Sequence, residues 1–283
     1  MNRFDDFIKH RQYLLNVSHH TIRWYRHALK WLPSENPTQE QLNAMVLKMR
    51  EAGLKPAGCN AATRAINAYL HWASDPAGKC GGGCRHPRIK PMKEPEFLPT
   101  TFTEAQVKRL VGWRPRGSYD RRLHLLVLLL LDTGARISEL LCLKVADIDF
   151  DNLLLAIFGK SRKQRLVPFS LHLSRTLFKW IRDCGKQPHD LVFSNTQGQS
   201  LGRNACLRAV KHLCKRLDFT PPPRTLHAFR HTFSTNFVRR TGSPAKLQRL
   251  LGHTTITMAM RYVHLAVEDL REGYEGVSLL NRR

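Results

Sequence analysis

Apolar side chains recur along this chain at three- and four-residue intervals, the period of a helix with one buried face, and only three short runs read as strands. In the first 75 residues Ser18 stands where an N-cap belongs, ahead of Ile22, Tyr25, Leu29 and Leu32. Thr38 followed by Gln41 fits a capping box and opens a helix carrying Leu42, Met45, Val46 and Met49, which stops near Gly53. A third helix over 59–73 turns Ala62, Ile66 and Tyr69 inward and Asn60, Thr63, Arg64 and Asn67 outward. The pattern predicts a small helical bundle with a polar, partly basic face suited to phosphates and base edges.

Over 76–99 the pattern gives way to crowded proline, glycine and lysine, which predicts an extended basic linker. Beyond it Thr103 caps EAQVKRLV and an apolar helix follows over 121–131. Thr133 and Gly134 break that helix ahead of Arg136 and Glu139, which share one face of a new turn. LLLAIF and LVPF flank the run GKSRKQR, predicting a β-hairpin with a basic tip in which Lys160 ends the first strand. Ser170 caps a helix through Leu173, Leu177 and Ile181, LVFS reads as a short strand, and 204–217 is amphipathic. The expected fold is mainly α with a small antiparallel β-sheet. Its parts are a helical domain over 1–75, a linker over 76–99, and an α-rich domain over 100–283 ending in a segment 268–283.

Charge changes the picture more than hydropathy does. Against 22 acidic side chains stand 46 Lys and Arg, a formal net charge of +24. The excess is spread over both halves, so two basic domains suggest a long polyanion held from both sides, and duplex nucleic acid is the commonest one. Seven cysteines at irregular spacings do not make a disulfide framework and point to a reducing cytoplasm. The start, MNRFDDFIKH, has no apolar signal core, and the apolar run 123–131 falls short of the ~20 residues of a membrane span. Cys80, Cys84 and His86, with Cys59, are candidate zinc ligands, but their spacing is that of no known finger, so neither metal nor cofactor is expected.

The densest chemistry lies in 225–262. His227 and Arg230, three apart, share a helix face, while Phe229, Phe233 and Phe237 make a separate apolar stripe. Ser243 and Pro244 open a short helix that Gly252 closes, so His253 emerges at a helix end, and Thr254 or Thr255 caps the next helix, which leads to Tyr262. Two imidazoles, a guanidinium and a phenol suit an anionic substrate, since guanidinium binds phosphate through paired charge-assisted bonds and the phenol is a candidate nucleophile. A zinc site on His227 and His231, one turn apart, would press Arg230 against the cation. A Walker loop fails at Leu154, where glycine is required, and a calcium loop starting at Asp147 fails at Asn152 and Phe158.

Taken together, TGARISEL, GK in a basic hairpin, HAFRH, LLGH and Tyr262 nine residues later resemble the tyrosine recombinase family, the phage-type integrases. The resemblance spans 96–283, and SHHTIRWY and NAATRAINAYLHWA are similar to the family's core-binding domain. It implies that Arg136, Lys160, His227, Arg230 and His253 form the catalytic group and that Tyr262 is the nucleophile. The implied activity is metal- and ATP-independent cutting and rejoining of double-stranded DNA through a 3′-phosphotyrosyl link. In that scheme His227 is the best-placed base or partner for the phenol, and Lys160 protonates the leaving 5′ oxygen. The implied assembly is a homotetramer on paired DNA sites, with a monomer or weak self-association in free solution and no membrane. A type IB-like topoisomerase or a non-catalytic DNA-binding regulator on the same scaffold are the alternatives, and Tyr274 is the fallback nucleophile.

Overall fold

The computed structural model describes residues 3–75, 86–95, 99–159, 164–252 and 255–263. The chain divides into two compact units, Met1–Phe97 and Leu98–Arg283.

In the first unit α1 (Arg3–Lys9) runs into a π turn at His10–Leu14 and is followed by α2 (His19–Leu29), α3 (Gln39–Glu51) and α4 (Pro56–Ser74). The expected caps are in place. Ser18 Oγ accepts from the Thr21 amide, and Thr38 with Gln41 closes a full capping box. The first helix, which the sequence pattern left unassigned, contributes Phe7 to a core with Tyr25, Leu42, Ile66 and Tyr69. Tyr69 is wholly buried and donates its hydroxyl to the Glu35 carbonyl at 2.9 Å.

Two features differ from the sequence expectation. Asn60, Thr63 and Asn67 do not face outward, Thr63 being 2% exposed. Asn60 is 5% exposed and pairs with both backbone groups of Met92, at 2.8 Å each way, while Asn67 pairs likewise with Ile89 at 2.8 and 3.0 Å. A side-chain amide presents the same donor and acceptor as a peptide group, so it substitutes for a neighbouring strand. Residues 86–95 are accordingly strapped to the bundle, with Ile89 buried in its core. Cys59, one of the candidate zinc ligands, is also fully buried there. Cys80 and Cys84 lie outside the described residues.

The second unit opens with α5 (Glu104–Val111), capped by Thr103 with Gln106, then α6 (Gly117–Thr133) and the single turn α7 (Ile137–Leu140). Among the described residues one antiparallel sheet follows, in the order β1 (Ile148–Asp149), β2 (Leu154–Phe158), β3 (Gln164–Pro168). The first strand falls within DIDFDN, outside the runs expected as strands, and leads into a turn. The turn itself starts one residue later, where the Asp149 carboxylate accepts from both nitrogens of Asn152. LVFS is not a strand: Leu191 and Ser194 each make one isolated bridge, and the segment's business is to bury Val192 and Phe193. The remaining helices are α8 (Leu171–Asp183), α9 (Arg203–Arg216), α10 (Thr225–Thr241), α11 (Pro244–Leu251) and α12 (Ile256–Met260). Helix α6 is the hub, with Leu125, Leu126, Leu129 and Leu130 fully buried against neighbours that include α8 and α10. No helix among the described residues is long and apolar enough to cross a membrane.

Candidate active site

Helix α6 ends because Gly134 takes a left-handed conformation, φ 60°, that costs a side-chain-bearing residue energy. Space makes the same demand, for a Cβ there would sit 2.3 Å from Phe233 Cδ1. The turn frees the Gly134 carbonyl and starts α7 at Arg136, which caps it. The Arg136 amide donates to Glu139 Oε2 at 2.8 Å and its Nη1 to Oε1 at 2.9 Å. Arg136 remains half-buried, its side chain 32% exposed.

Glu139 holds a second arginine that the sequence reading missed. Arg165 on β3 donates Nη1 and Nη2 to the two carboxylate oxygens at 3.1 and 2.7 Å, and Nε to the Leu250 carbonyl at 3.0 Å. Burial pushes the Glu139 carboxyl upward, but the bonds from Arg165 and Arg136 outweigh it and hold the group below the ordinary carboxylate value. A signal for Arg165 was available. It is two residues from the buried Val167 on the same strand, so a period-two reading of GKSRKQR turns its last residue inward.

Arg230, 6% exposed on α10, spans two segments far apart in sequence. Nη1 donates to Gly134 and Nη2 to Leu251, both at 2.9 Å. The last carbonyls of α11 have no partner inside their own helix and carry its negative end, so Leu250 and Leu251 are natural seats for cations. Burial, and then the neighbouring Arg136 charge, push the Arg230 guanidinium down to about 10, which leaves it charged at neutral pH.

His227 stands exposed at the start of α10, beside a cavity of about 300 Å³ lined also by Arg203, Arg224, Leu207 and Leu226. Burial of the ring, then the charges of Arg203 and Arg230, lower its pKa and favour the neutral ring. Tyr262, just past α12, is 5% exposed, and its neighbourhood includes Arg230.

The phenol's partner corrects the sequence expectation. It is His231, not His227, whose Nδ1 lies 2.9 Å from the Tyr262 hydroxyl. The two histidines are four residues apart on one helical face, so local spacing could not tell which of them the distant tyrosine meets. Burial, followed by the charges of His227, Arg230 and Arg224, pushes the His231 imidazole down to about 4.

Arg136, His227, Arg230 and Tyr262 thus share one cluster, tied together by Glu139, Arg165 and His231. Lys160, His253 and Tyr274 lie outside the described residues, as does the segment 268–283.

Residues 100–269 match the phage integrase family. The tyrosine recombinase XerC of Xanthomonas campestris pv. campestris is 29% identical over 97% of this chain and 88% of its own length. Among solved structures, the Tn1549 transposon integrase, in complex with a circular intermediate DNA, superposes with a TM-score of 0.75 at 21% identity, covering 93% of this chain and 95% of its own. A lambda integrase tetramer bound to a Holliday junction superposes at 0.67 with 20% identity, over 92% of this chain and 76% of that one. At these identities the structural likeness is one of fold.

Proposed function

Because the chain belongs to the phage integrase family and is a site-specific tyrosine recombinase, we propose that it breaks and rejoins duplex DNA through Tyr262, with Arg136 and Arg230 as the paired cations on the scissile phosphate. One observation carries this assignment: Arg230 is fixed between the Gly134 and Leu251 carbonyls, in a cluster that holds both Arg136 and Tyr262.

In-line attack on a phosphodiester concentrates negative charge on the non-bridging oxygens, and two preoriented guanidinium groups stabilise it without reorganising. Glu139 and Arg165 fix Arg136, while His227 donates a hydrogen bond to the phosphate, assisted by His253. As the bond from Tyr262 Oη to phosphorus forms, the bond to the 5′ oxygen breaks. The phenol proton passes to an imidazole of the site, and Lys160 gives a proton to the departing 5′ hydroxyl. One phosphodiester replaces another, so a second 5′ hydroxyl reverses the step without ATP.

The net charge of +24 fits a double-stranded DNA partner gripped by the helical unit over 1–75 and the catalytic unit over 100–283. The functional assembly is a homotetramer on paired sites, acting in the cytoplasm, with segment 268–283 bridging protomers.

The test is a nicked duplex that traps the covalent product, incubated in EDTA and run on a denaturing gel. The native protein gives a DNA adduct, and Tyr262→Phe binds the same DNA without forming one. An adduct of undiminished yield in the phenylalanine variant would overturn the assignment.

A further inference from the structure

Two imidazoles stand one turn apart on α10, and only one of them touches the nucleophile. His231 Nδ1 is 2.9 Å from Tyr262 Oη, within the range required of a group that accepts a proton directly. The rings are inclined by 41° with centroids 5.9 Å apart, and the phenol is 5% exposed. The departing proton therefore faces a protein atom rather than bulk water. His227, by contrast, points to the exposed side, next to the cavity shared with Arg203 and Arg224.

We propose that His231 takes the Tyr262 proton as the strand is cut and returns it when the strand is rejoined. The proposal rests on the reading of Tyr262 as nucleophile. In the forward step the Oη–P bond forms, the P–O5′ bond breaks, the phenol proton moves to His231 Nδ1, and the 5′ oxygen takes its own proton from Lys160. The reverse step runs each transfer backwards, so the tyrosine leaves as a neutral phenol. His231 must begin as the tautomer with its proton on Nε2.

The surroundings set when the transfer happens. His231 is faced by His227, Arg230 and Arg224 from α10 and its N-terminal cap, and by Tyr262 from beyond α12. Burial and those charges keep it unprotonated, with a conjugate acid near about 4. An imidazole kept unprotonated in this way is free to accept a proton through Nδ1 before any substrate arrives. Attack on phosphorus supplies that proton. The oxygen gives its electron pair to phosphorus and its proton becomes strongly acidic, while the phosphate anion offsets the charges of Arg230 and its neighbours. The proton moves with bond formation and not before it.

Single-turnover cleavage of the nicked duplex, with DNA affinity measured separately, tests this across His231→Asn, His231→Leu and Tyr262→Phe. Asparagine places an oxygen near the position of Nδ1, so it accepts the hydrogen bond but not the proton. His231→Asn should bind DNA within about twofold of the native protein and cleave about 100-fold more slowly at pH 7. Its rate should then rise about tenfold per pH unit from 7 to 9, as solvent removes the proton instead, while the native rate stays level. A structural role would not produce that slope. A cleavage rate within threefold of native at pH 7, a flat profile, or faster cleavage by His231→Leu overturns the proposal. If His231→Asn loses DNA binding, the same slope is read from His231→Gln. Tyr262→Phe keeps the two readings apart: an adduct there refutes the nucleophile, whereas its absence beside a near-native His231→Asn refutes only the proton acceptor.

Discussion

Replacing Arg165 by leucine should be among the most damaging single changes outside the residues that touch DNA. The substitution removes two hydrogen bonds to Glu139, at 3.1 and 2.7 Å, and one to the Leu250 carbonyl at 3.0 Å. It leaves a carboxylate that is 4% exposed with Arg136 as its remaining ionic partner. Breaking a buried ion pair from one side costs about 3–5 kcal/mol, because the charge left behind is neither solvated nor matched. The pH dependence has a definite sign. In the native protein Glu139 is held below the ordinary carboxylate value, so its contribution is present above that value and is lost as pH falls through the folded one. In the variant, burial is no longer outweighed and the carboxyl rises, so the deficit should be largest at pH 7–8 and shrink towards pH 4. Urea unfolding at several pH values, followed by circular dichroism and by tryptophan fluorescence, measures it. Adding Glu139→Gln should restore about 1–2 kcal/mol, since the stranded charge disappears. A deficit below about 1 kcal/mol at pH 7, or one that does not change with pH, would refute the reasoning.

Gly134→Ala should cost about 2–4 kcal/mol, adding left-handed strain to a 2.3 Å clash with Phe233, whereas Gly198→Ala, at φ 77° in open space, should cost about 1 kcal/mol. Thermal melts of the pair compare them, and equal losses would remove Phe233 from the explanation. Because the Gly134 carbonyl holds Arg230, strand cleavage by Gly134→Ala should also fall at temperatures where the variant is still folded. Burial pushes the Cys214 thiol up to about 11 and raises Cys206, while Cys142 and Cys184 are exposed. Site-resolved mass spectrometry after treatment with a thiol reagent should find Cys142 and Cys184 modified before Cys206, and Cys214 only after denaturation, and early labelling of Cys214 would contradict its burial.

The sequence by itself determined what local physics decides. Ser18, Thr38, Thr103, Ser170 and Ser243 cap the helices they were expected to cap, because an N-cap bond spans three residues and needs nothing from the rest of the fold. Gly134 and Gly252 end their helices for the same reason, each at a positive φ. Tertiary structure alone decided the pairings. Asn60 and Asn67 look like surface residues until residues 86–95 arrive as their partners, and Arg165 looks like part of a basic tip until Glu139 and the end of α11 meet it. His227 and His231 are equivalent by spacing, and which of them the phenol meets depends on how α10 packs against a tyrosine thirty-one residues further on. Helical periodicity says which face of an element is buried. It is silent on which distant side chain lies opposite, and in this protein the chemistry sits in those long-range contacts.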